Sequence, residues 1–445
     1  MENQLRELIL PLSNDLIKQL SKTIDNHDKS QINFYWVELA VWMILADFAS
    51  KLISALVGLL FKRGYEGSFI DCKSCKGRMK FQRYRNRPII TTFGQTSFER
   101  AYYYCGTCKR GDAPLDDRLE VGSREFSPRL QRIIAREAAH SSFEVVERNI
   151  KESFELSISD EAIREVSQEL GQKAKIWEDY QAESYKDKPL ASKPTEAKAK
   201  TWILEIDGKR VGFQDRNWNE VKVGVIYELG ERVETSTGRH KLLKRELIAR
   251  RSSWQEFVPQ FWAAMQRAGI KAGDRLVAIA DAAEGIESIF DYVAPEATRV
   301  RDFYHVAERV YAIGELRYGV GSEKSKDWIS VQLHKLKQSD VSGVIRSIAH
   351  LKIERAEEEE KRTKVINYIE KNRLAMDYGS YKSEGLPLGS GAVEGGCKLI
   401  GYRTNGCGRR WGYEGCDRIV ALRVAVLNDR LDVVLPKPRI EKLAA

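Results

Sequence analysis

Two short apolar runs, far apart in the chain, each end on an aspartate that small residues follow. Asp207 closes the run Trp202–Ile206, and Asp281 closes the run Leu276–Ala280. Strand patterns alternate with helical patterns over residues 201–301, which predicts a mixed α/β sheet. A strand that ends on a carboxylate beside small residues presents it at the edge of the sheet, where ligands of α/β proteins bind. The two runs therefore constrain both the fold and the place of a site.

The predicted elements of this region begin with strands and then alternate with helices. Strands are expected over residues 201–206, 211–213, 220–228, 242–248, 275–280 and 298–301, and helices over residues 254–268 and 286–293. Residues 305–378 are predicted to be almost wholly helical. Beyond them Glu394 ends the small-residue segment Gly389–Glu394, where it would start a helix.

Three carboxylates brought together by such a fold can hold Mg²⁺ or Mn²⁺, which prefer oxygen ligands. A pair of these ions is suited to phosphodiester chemistry. Any one of the three acids alone would be explained as a turn or helix-cap residue, so the hypothesis rests on all three. Glu284 is a fourth candidate ligand, although its place at a helix start explains it more simply.

The positive charge of the chain is concentrated in one segment. The formal net charge is +9, and residues 62–110 carry twelve Lys or Arg against Glu66, Asp71 and Glu99. Nine Tyr and Phe side chains interleave with these cations between residues 65 and 104. A compact basic and aromatic module is typical of a nucleic-acid binder; a solvated charged face is the alternative.

Four of the seven cysteines form two CxxC pairs inside that basic segment. The pairs are Cys72–Cys75 and Cys105–Cys108, separated by 29 residues whose alternating patterns predict short antiparallel strands. This spacing predicts a structural zinc ribbon with four thiolate ligands. Two disulfides are the alternative, and the odd number of cysteines and the absence of a secretion signal at Met1–Gln4 disfavour them.

The rest of the chain divides by composition. The apolar stretch Phe34–Phe61 is interpreted as a buried or subunit-contacting helix, since Glu38, Asp47 and Lys51 would be costly inside a bilayer. The predicted regions are 1–64 helical and dimerising, 65–120 zinc ribbon, 121–180 three helices of a helix-turn-helix-like domain, 181–200 linker, 201–304 and 381–445 two parts of a catalytic core, and 305–380 a helical insertion. In the third region, Ser141 and Glu144 predict a capping box, and the last helix is expected over residues 160–171.

The blocks of this chain resemble the DDE transposases of bacterial insertion sequences, in the RNase H-like superfamily, and most closely their ISKra4 family. The similarity covers roughly residues 60–430 and is most specific in its last block. It is carried by Ile206–Gly208, Ile279–Ala283, Asp302–Glu308, Gly389–Lys398, Arg403 and Gly408–Trp411. Two positions depart from the family pattern, where an Asp-Gly-Ala motif is usual: Ala282 replaces the glycine, and Gly285 precedes Ile286.

The resemblance implies an RNase H-like catalytic domain in which Asp207, Asp281 and Glu394 bind catalytic Mg²⁺ or Mn²⁺. Asp302 and His305 look like a motif shared with related transposases, in which the histidine orients DNA or assists proton transfer. A structural role for His305 is the alternative. The implied activity is metal-dependent cleavage of DNA at the ends of the element and strand transfer to target DNA.

Partners and DNA contacts follow from the same resemblance and from the basic ribbon. Double-stranded DNA and a homodimer or higher synaptic complex are expected, in the bacterial cytoplasm and near the nucleoid. The expected DNA-binding residues are Arg78, Lys80, Arg83, Arg85, Arg87, Arg403, Arg409, Arg410 and Trp411. Turn chemistry is the alternative for the last four. Trp218 is a weaker candidate for base stacking. Rival functions are a transposase-derived DNA-binding protein without full activity and another RNase H-like nuclease.

Overall fold

The computed structural model describes residues 1–122, 124–194, 198–236, 240–352, 355–406 and 408–437. The chain folds as two compact units, residues 1–167 and 168–445. The first unit contains helices α1 (Glu2–Asp25), α2 (Phe34–Phe61), α3 (Pro114–Arg118), α4 (Pro128–His140) and α5 (Phe143–Phe154), and strands β1 (Phe69–Asp71), β2 (Arg78–Thr91), β3 (Gly94–Cys105) and β4 (Gly111–Asp112). Helix α6 (Asp160–Tyr185) runs across the boundary between the units.

Helices α1 and α2 pair through a cluster of polar side chains. The Lys51 ammonium lies 2.7 Å from the carboxylates of both Asp15 and Asp47. The Gln19 amide donates hydrogen bonds to the same two carboxylates at 3.0 and 2.8 Å. The Asn33 side chain caps the start of α2 by accepting the Trp36 N–H, so capping and ion pairing together fix how the second helix begins and packs.

Most of the surface of α2 is not covered by the chain itself. Residues Phe34–Gly64 are long and apolar enough to cross a membrane by length and composition, with a mean hydropathy of 1.9 and only 6% of the window buried. Ile44 and Ser50 are its buried residues, whereas Phe34 is 82% exposed. The interpretation of α2 as a helix buried within the chain is therefore wrong. Its interpretation as a subunit contact stays a prediction.

Strands β1 to β4 form an antiparallel sheet in that order. The alternating runs were expected to give short strands, but β2 and β3 form one long hairpin of 14 and 12 residues. A bulge interrupts their pairing between Phe81 and Arg83. Two small cores use the sheet, the first formed by Cys72, Met79, Ala101, Tyr103 and Cys105, and the second by Ile89, Phe98, Leu115 and Val121.

Helices α4, α5 and α6 follow, so the prediction of three helices here is confirmed. The predicted capping box is wrong, because the residue before α5 is Ser142 and its side chain makes no capping hydrogen bond. Helix α6 continues to Tyr185 instead of ending at Gly171, and thus enters the segment that was expected to be a linker. Buried alanines at 174 and 182 continue its apolar stripe, which explains the extra turns.

The second unit contains a five-stranded mixed sheet in the order β11-β10-β5-β6-β9. Strand β6 runs antiparallel to its neighbours β5 and β9. Strand β10 runs parallel to its neighbours β5 and β11. The strands are β5 (Thr201–Gly212), β6 (Trp218–Glu228), β9 (Glu246–Arg250), β10 (Arg275–Ala280) and β11 (Thr298–Arg301), with a separate hairpin of β7 (Arg232–Glu234) and β8 (His240–Leu242). The mixed α/β class is as predicted; the strands expected at 201–206 and 211–213 form one strand.

Helices cover both faces of this sheet. Helices α7 (Trp254–Ala268) and α8 (Glu284–Val293) supply buried aromatic and aliphatic residues to the core on one face. The core on the other face includes residues of α9 (Phe303–Tyr318), α10 (Glu323–Lys337), α11 (Val341–Ala349), α12 (Ala356–Asn372), α13 (Tyr378–Ser383), α14 (Gly391–Thr404) and α15 (Tyr413–Leu427). Side chains alternate along a strand, so Glu205 and Asp207 share the face of Ile203, which belongs to this second core.

Candidate active site and metal cluster

Asp207 and Asp281 occupy equivalent places on neighbouring parallel strands. Glu205 of β5 pairs with Ile279 of β10, and each aspartate lies two residues beyond its member of that pair. Parallel strands bring their carboxyl ends to the same edge of a sheet. The two carboxylates that the sequence singled out are therefore neighbours at the edge where a ligand can approach.

The Asp207 carboxylate lies in a partly buried position under helix α14. It accepts the Gly208 N–H at 2.7 Å, and the Cys397 thiol donates to its other oxygen at 3.6 Å. Burial raises the pKa of Asp207, the carboxylate of Asp281 raises it further, and His305 lowers it. The two aspartates repel each other, and a bound cation would relieve that repulsion.

A short loop holds Asp281 between β10 and α8. Its carboxylate accepts the Ala283 N–H at 2.9 Å, and the Tyr368 hydroxyl donates to its carbonyl at 3.0 Å. The next residue, Ala282, has a φ of +81°, a conformation that favours glycine. The position where the resembled family usually carries glycine is therefore one where this backbone also prefers it.

Replacing Ala282 by glycine is expected to stabilise the second unit by about 1 kcal/mol, because a non-glycine residue at positive φ is strained. A substitution at Gly285 is expected to change the stability in the opposite direction. A Cβ added there would lie 2.1 Å from Cδ1 of Trp254, so Gly285→Ala should destabilise by roughly 1–3 kcal/mol. Denaturant unfolding of both variants measures the two shifts, and a less stable Ala282→Gly protein would contradict the strain argument.

Glu394 lies in the first turn of α14 and is exposed. The ammonium of Lys398, one turn further along the helix, lies 2.6 Å from its carboxylate. Within the described part of the chain, the four cysteines are the only group of three or more potential ligands whose atoms lie within 4.8 Å of one another. The structure thus brings Asp207 and Asp281 to one edge but does not gather all three acids at metal-binding distance.

A buried glutamate that the sequence argument passed over fixes helix α14 to the sheet. Glu205 is fully buried; it accepts the Val393 N–H at 2.8 Å and the Tyr227 hydroxyl at 3.1 Å. Burial raises its pKa to about 8. The sequence signal for Glu205 is one acidic residue inside the otherwise apolar run Trp202–Ile206. Its partner Val393 is the residue before Glu394. Glu205 therefore positions the start of α14.

Asp302 joins the starts of two helices. One of its oxygens accepts the N–H groups of Tyr304 and His305, at 2.7 and 3.4 Å, and so caps α9. The other accepts the Ser390 N–H at 2.8 Å and also the Ser390 hydroxyl, just before α14. Asp302 is buried, so the aspartate of the resembled motif has a structural role in this protein. It ties the helix of His305 to the helix of Glu394.

His305 is half exposed at the start of α9. Its Nδ1 lies 3.5 Å from the carboxylate of Glu308, one turn further along the helix. The side chain is 47% exposed, so the alternative of a structural role would rest on this Glu308 contact and not on burial. His305 also contributes to lowering the pKa of Asp207.

The four residues after Glu394 that were expected to contact DNA differ in their exposure and in their hydrogen-bond partners. Arg403 is 2% exposed, and burial lowers its pKa to about 9; in this structure it is not accessible to a phosphate. The Trp411 indole N–H donates to the Thr404 carbonyl at 2.9 Å, consistent with turn chemistry.

The other two arginines expected to contact DNA lie in the same Gly-rich turn. Arg409 donates to the carbonyls of residues 402 and 403. Arg410 is exposed, and its guanidinium lies 5.4 Å from the ring centroid of Trp218.

The five cations proposed for the ribbon also separate into two groups. Arg87 is only 15% exposed, donates to the carbonyls of Gly122 and Arg124, and lies 3.4 Å from the Asp116 carboxylate. These contacts give Arg87 a structural role, so the expectation that it binds DNA is not supported. The exposed members of the group are Arg78, Lys80, Arg83 and Arg85.

The four cysteines of the ribbon form a compact cluster that can hold a metal ion such as zinc. All four sulfur atoms lie within 4.8 Å of one another, and the Cys72–Cys108 and Cys75–Cys105 pairs are each 3.6 Å apart. Four thiolates about 2.3 Å from one zinc ion would be roughly 3.8 Å apart, so the donor set fits a tetrahedral ion. All four cysteines are free of disulfides.

The two CxxC turns that supply these ligands have the same backbone geometry. The N–H of Cys72 donates to the Gly77 carbonyl, and the N–H of Lys76 donates back to Cys72. In the second turn, the N–H of Cys105 donates to the Arg110 carbonyl, and the N–H of Lys109 donates to the Cys105 carbonyl. Backbone N–H groups of residues 107 and 108 contribute to lowering the pKa of Cys105 to about 6, which favours the thiolate that a metal requires.

The fold and these sites define a mixed α/β protein with a large helical complement and a separate four-cysteine module. The chain belongs to the uncharacterised protein family UPF0236, whose model matches residues 33–432. The match begins next to the first residue of α2 and extends past α15, so it covers the ribbon, the acidic residues and the inserted helices together. A comparison with curated proteins gives no match.

Proposed function

We propose that this protein is a DDE transposase that binds the ends of its mobile element, cleaves DNA and transfers the ends to target DNA. The observation that carries the proposal is the pairing of Asp207 and Asp281 at adjacent parallel strand ends, under the helix that bears Glu394. The family that the chain belongs to has no assigned activity, so the support comes from the site and from the resemblance of its motifs.

The topology of the sheet supports an RNase H-like catalytic domain. Counted along the chain, the five strands lie in the order 3-2-1-4-5, and only the second runs antiparallel to the others. A mixed sheet is what the resemblance implies for such a domain. Five helices, α9 to α13, then separate the fifth strand from α14, as expected for a transposase with a helical insertion at this point.

The donor set at the sheet edge suits divalent ions with oxygen ligands. Asp207, Asp281 and Glu394 would hold Mg²⁺ or Mn²⁺, and such ions activate the attacking hydroxyl and stabilise the leaving oxygen in phosphodiester cleavage. For this to happen, Glu394 has to leave Lys398, with which it pairs in the structure. That pair is about two-thirds exposed, and surface pairs of this kind contribute little, so the exchange costs little.

The protein's own residues have distinct tasks in this proposal. Glu205 and Asp302 hold the start of α14 through the Val393 and Ser390 N–H groups, which limits how far Glu394 can move. His305, half exposed at the start of α9, can donate a hydrogen bond to a phosphate oxygen or accept a proton. We also propose zinc as the structural metal of the four cysteines and duplex DNA as the ligand of the ribbon.

Two ends of one element must be held together for transfer, so the proposal includes at least a dimer. The exposed apolar helix α2 is the proposed contact surface, because a monomer leaves Phe34, Tyr35 and Met43 more than half exposed. Sedimentation of the full chain, with and without Phe34→Ser and Met43→Ser, tests this. A monomer at micromolar concentration in both cases would contradict it.

A DNA-binding protein with weakened catalysis is the second candidate. It is favoured by two observations, the strained backbone at Ala282 and the ion pair that engages Glu394. Both features concern the acidic site and leave the ribbon unchanged. The two candidates therefore predict the same DNA binding and different chemistry.

The test is a cleavage assay on linear duplexes that carry the DNA borders of the gene. A transposase nicks at the border in Mg²⁺ or Mn²⁺, leaves a 3′-hydroxyl and is inactive in EDTA. Binding to the same duplex without a nick in either metal would support the second candidate. Activity that ignores the border sequence and prefers branched DNA would instead indicate a different nuclease.

A further inference from the structure

A bulge in β2 brings onto one face of the ribbon sheet cations that would point to opposite sides of a regular strand. Lys80 pairs with Tyr104, and Arg83 pairs with Tyr102, although the two cations are three residues apart. Tyr102 and Tyr104 are two residues apart on β3 and so share a face. Lys80 and Arg83 must share that face too, whereas in a regular strand they would point to opposite sides.

Arg85 extends the same row. It pairs with Arg100, which lies two residues before Tyr102 on β3 and thus on the same face. Residues two apart along a strand are about 7 Å apart. Lys80, Arg83 and Arg85 therefore form a line of positive charge along one side of the hairpin; we call this line the basic row.

We propose that the basic row binds the phosphate backbone of duplex DNA independently of its base sequence. This inference rests on the proposed function and deepens it, because it specifies how the ribbon holds DNA and which three side chains do so. Phosphate contacts of this kind fix the register of a protein on the duplex, while base contacts elsewhere supply specificity.

Asp116 neutralises two neighbours of the basic row. Arg87 and Arg100 both bind its carboxylate. Across residues 1–122, no ion pair is recorded for the three members of the row: Lys80, Arg83 and Arg85. The positive charge of the row is thus available to a polyanion.

Aromatic rings hold the arginines of this sheet in place. The Arg85 guanidinium lies 3.5 Å from the ring centroid of Tyr102, and the Arg78 guanidinium lies 4.6 Å from that of Phe69. Stacking uses the flat face of a guanidinium and leaves the N–H donors at its edge for an oxygen ligand. Guanidinium groups already cover the rings of Tyr102 and Phe69. These rings are therefore not free to stack on unpaired bases, which favours phosphate binding.

Salt dependence of binding provides a quantitative test with the full-length protein. Each phosphate contact contributes about 0.9 to the slope of log K against log salt. Replacing Lys80, Arg83 and Arg85 by alanine should therefore lower the slope by about 2.7 on a labelled duplex of random sequence. Between about 50 and 200 mM salt, the loss of affinity should become about 40-fold smaller than for the wild type.

The control variant replaces Lys18, Lys22 and Lys29 by alanine, three exposed cations of the same unit outside the sheet. It changes the net charge equally, so its slope should stay near that of the wild type. Metal content and circular dichroism show whether each ribbon is folded. Arg83→Lys with Arg85→Lys keeps the charge and should retain the slope.

The outcomes separate this inference from the proposed function. If wild type binds no duplex, both fail. If wild type binds but the slope survives loss of the basic row, or the control lowers it equally, the inference is overturned and the transposase proposal stands. Tighter binding to single-stranded DNA that Tyr104→Ala abolishes would overturn it in favour of base stacking.

Discussion

Replacement of Asp281 by asparagine is expected to lower the rate of DNA cleavage by about a thousand-fold. A metal ion stabilises transition-state charge by several kcal/mol, and about 1.4 kcal/mol corresponds to a tenfold change in rate. Asparagine retains a side-chain oxygen that can accept the Ala283 N–H, the bond that Asp281 makes at 2.9 Å. The loop should therefore keep its shape while the site loses a charge. Single-turnover cleavage of a border-bearing duplex in Mg²⁺ measures the effect.

Glu284 offers a matched control three residues away. Its side chain is 91% exposed and lies 3.7 Å from Lys371, so Glu284→Gln removes a negative charge without disturbing a buried contact. This variant should cleave close to the wild-type rate. Equal rates for wild type and Asp281→Asn would exclude catalysis by the acidic site.

Loss of the metal from the four-cysteine cluster is expected to unfold the ribbon and leave the second unit folded. Two of the five residues in the adjacent small core, Cys72 and Cys105, are themselves candidate ligands. Such a core cannot compensate for a structural metal, whose binding is worth about 10–16 kcal/mol in zinc-finger peptides. Cys72→Ser with Cys105→Ser should remove the metal. Hydrogen exchange should then become fast in β1–β3 and stay slow in β5 and β6.

Cys416 is the control for this experiment, because it is a free buried cysteine in the second unit. Cys416→Ser should leave the metal content unchanged, although it places a hydroxyl in an apolar core. A purified wild-type protein with no bound metal and a fully protected ribbon would contradict the metal-binding prediction. So would equal metal content in the double variant.

The sequence predicted best where a pattern is local. The helix over residues 254–268 and the strands over 275–280 and 298–301 were all predicted with the observed bounds, since their periodicity and end signals lie within the segment itself. The cysteine cluster was predictable for the same reason. Each CxxC pair contains its own turn, and only the meeting of the two turns depends on the sheet.

Features that depend on distant partners could not be predicted. Arg87 is neutralised by a carboxylate 29 residues further along the chain, and Glu205 accepts an N–H group from residue 393. Nothing near either residue signals its partner, so a structural arginine was counted among the DNA contacts and a structural glutamate was overlooked. The strain at Ala282 was visible only as a departure from a family pattern, and the φ angle supplies its physical meaning.

One side chain also joins the two ends of the segment that contains α9 to α13. The excursion from Asp302 to Ser390 starts and ends on the same carboxylate, and the Phe303 N–H donates to the Leu388 carbonyl at 2.8 Å beside it. The two ends of this long segment therefore meet as closely as the ends of a tight turn. The distance between β11 and α14 is therefore set by this closure and not by the length of the chain between them. The helices in between still belong to the frame of the acidic site, because they share the core of the sheet and the Tyr368 hydroxyl donates to the Asp281 carbonyl.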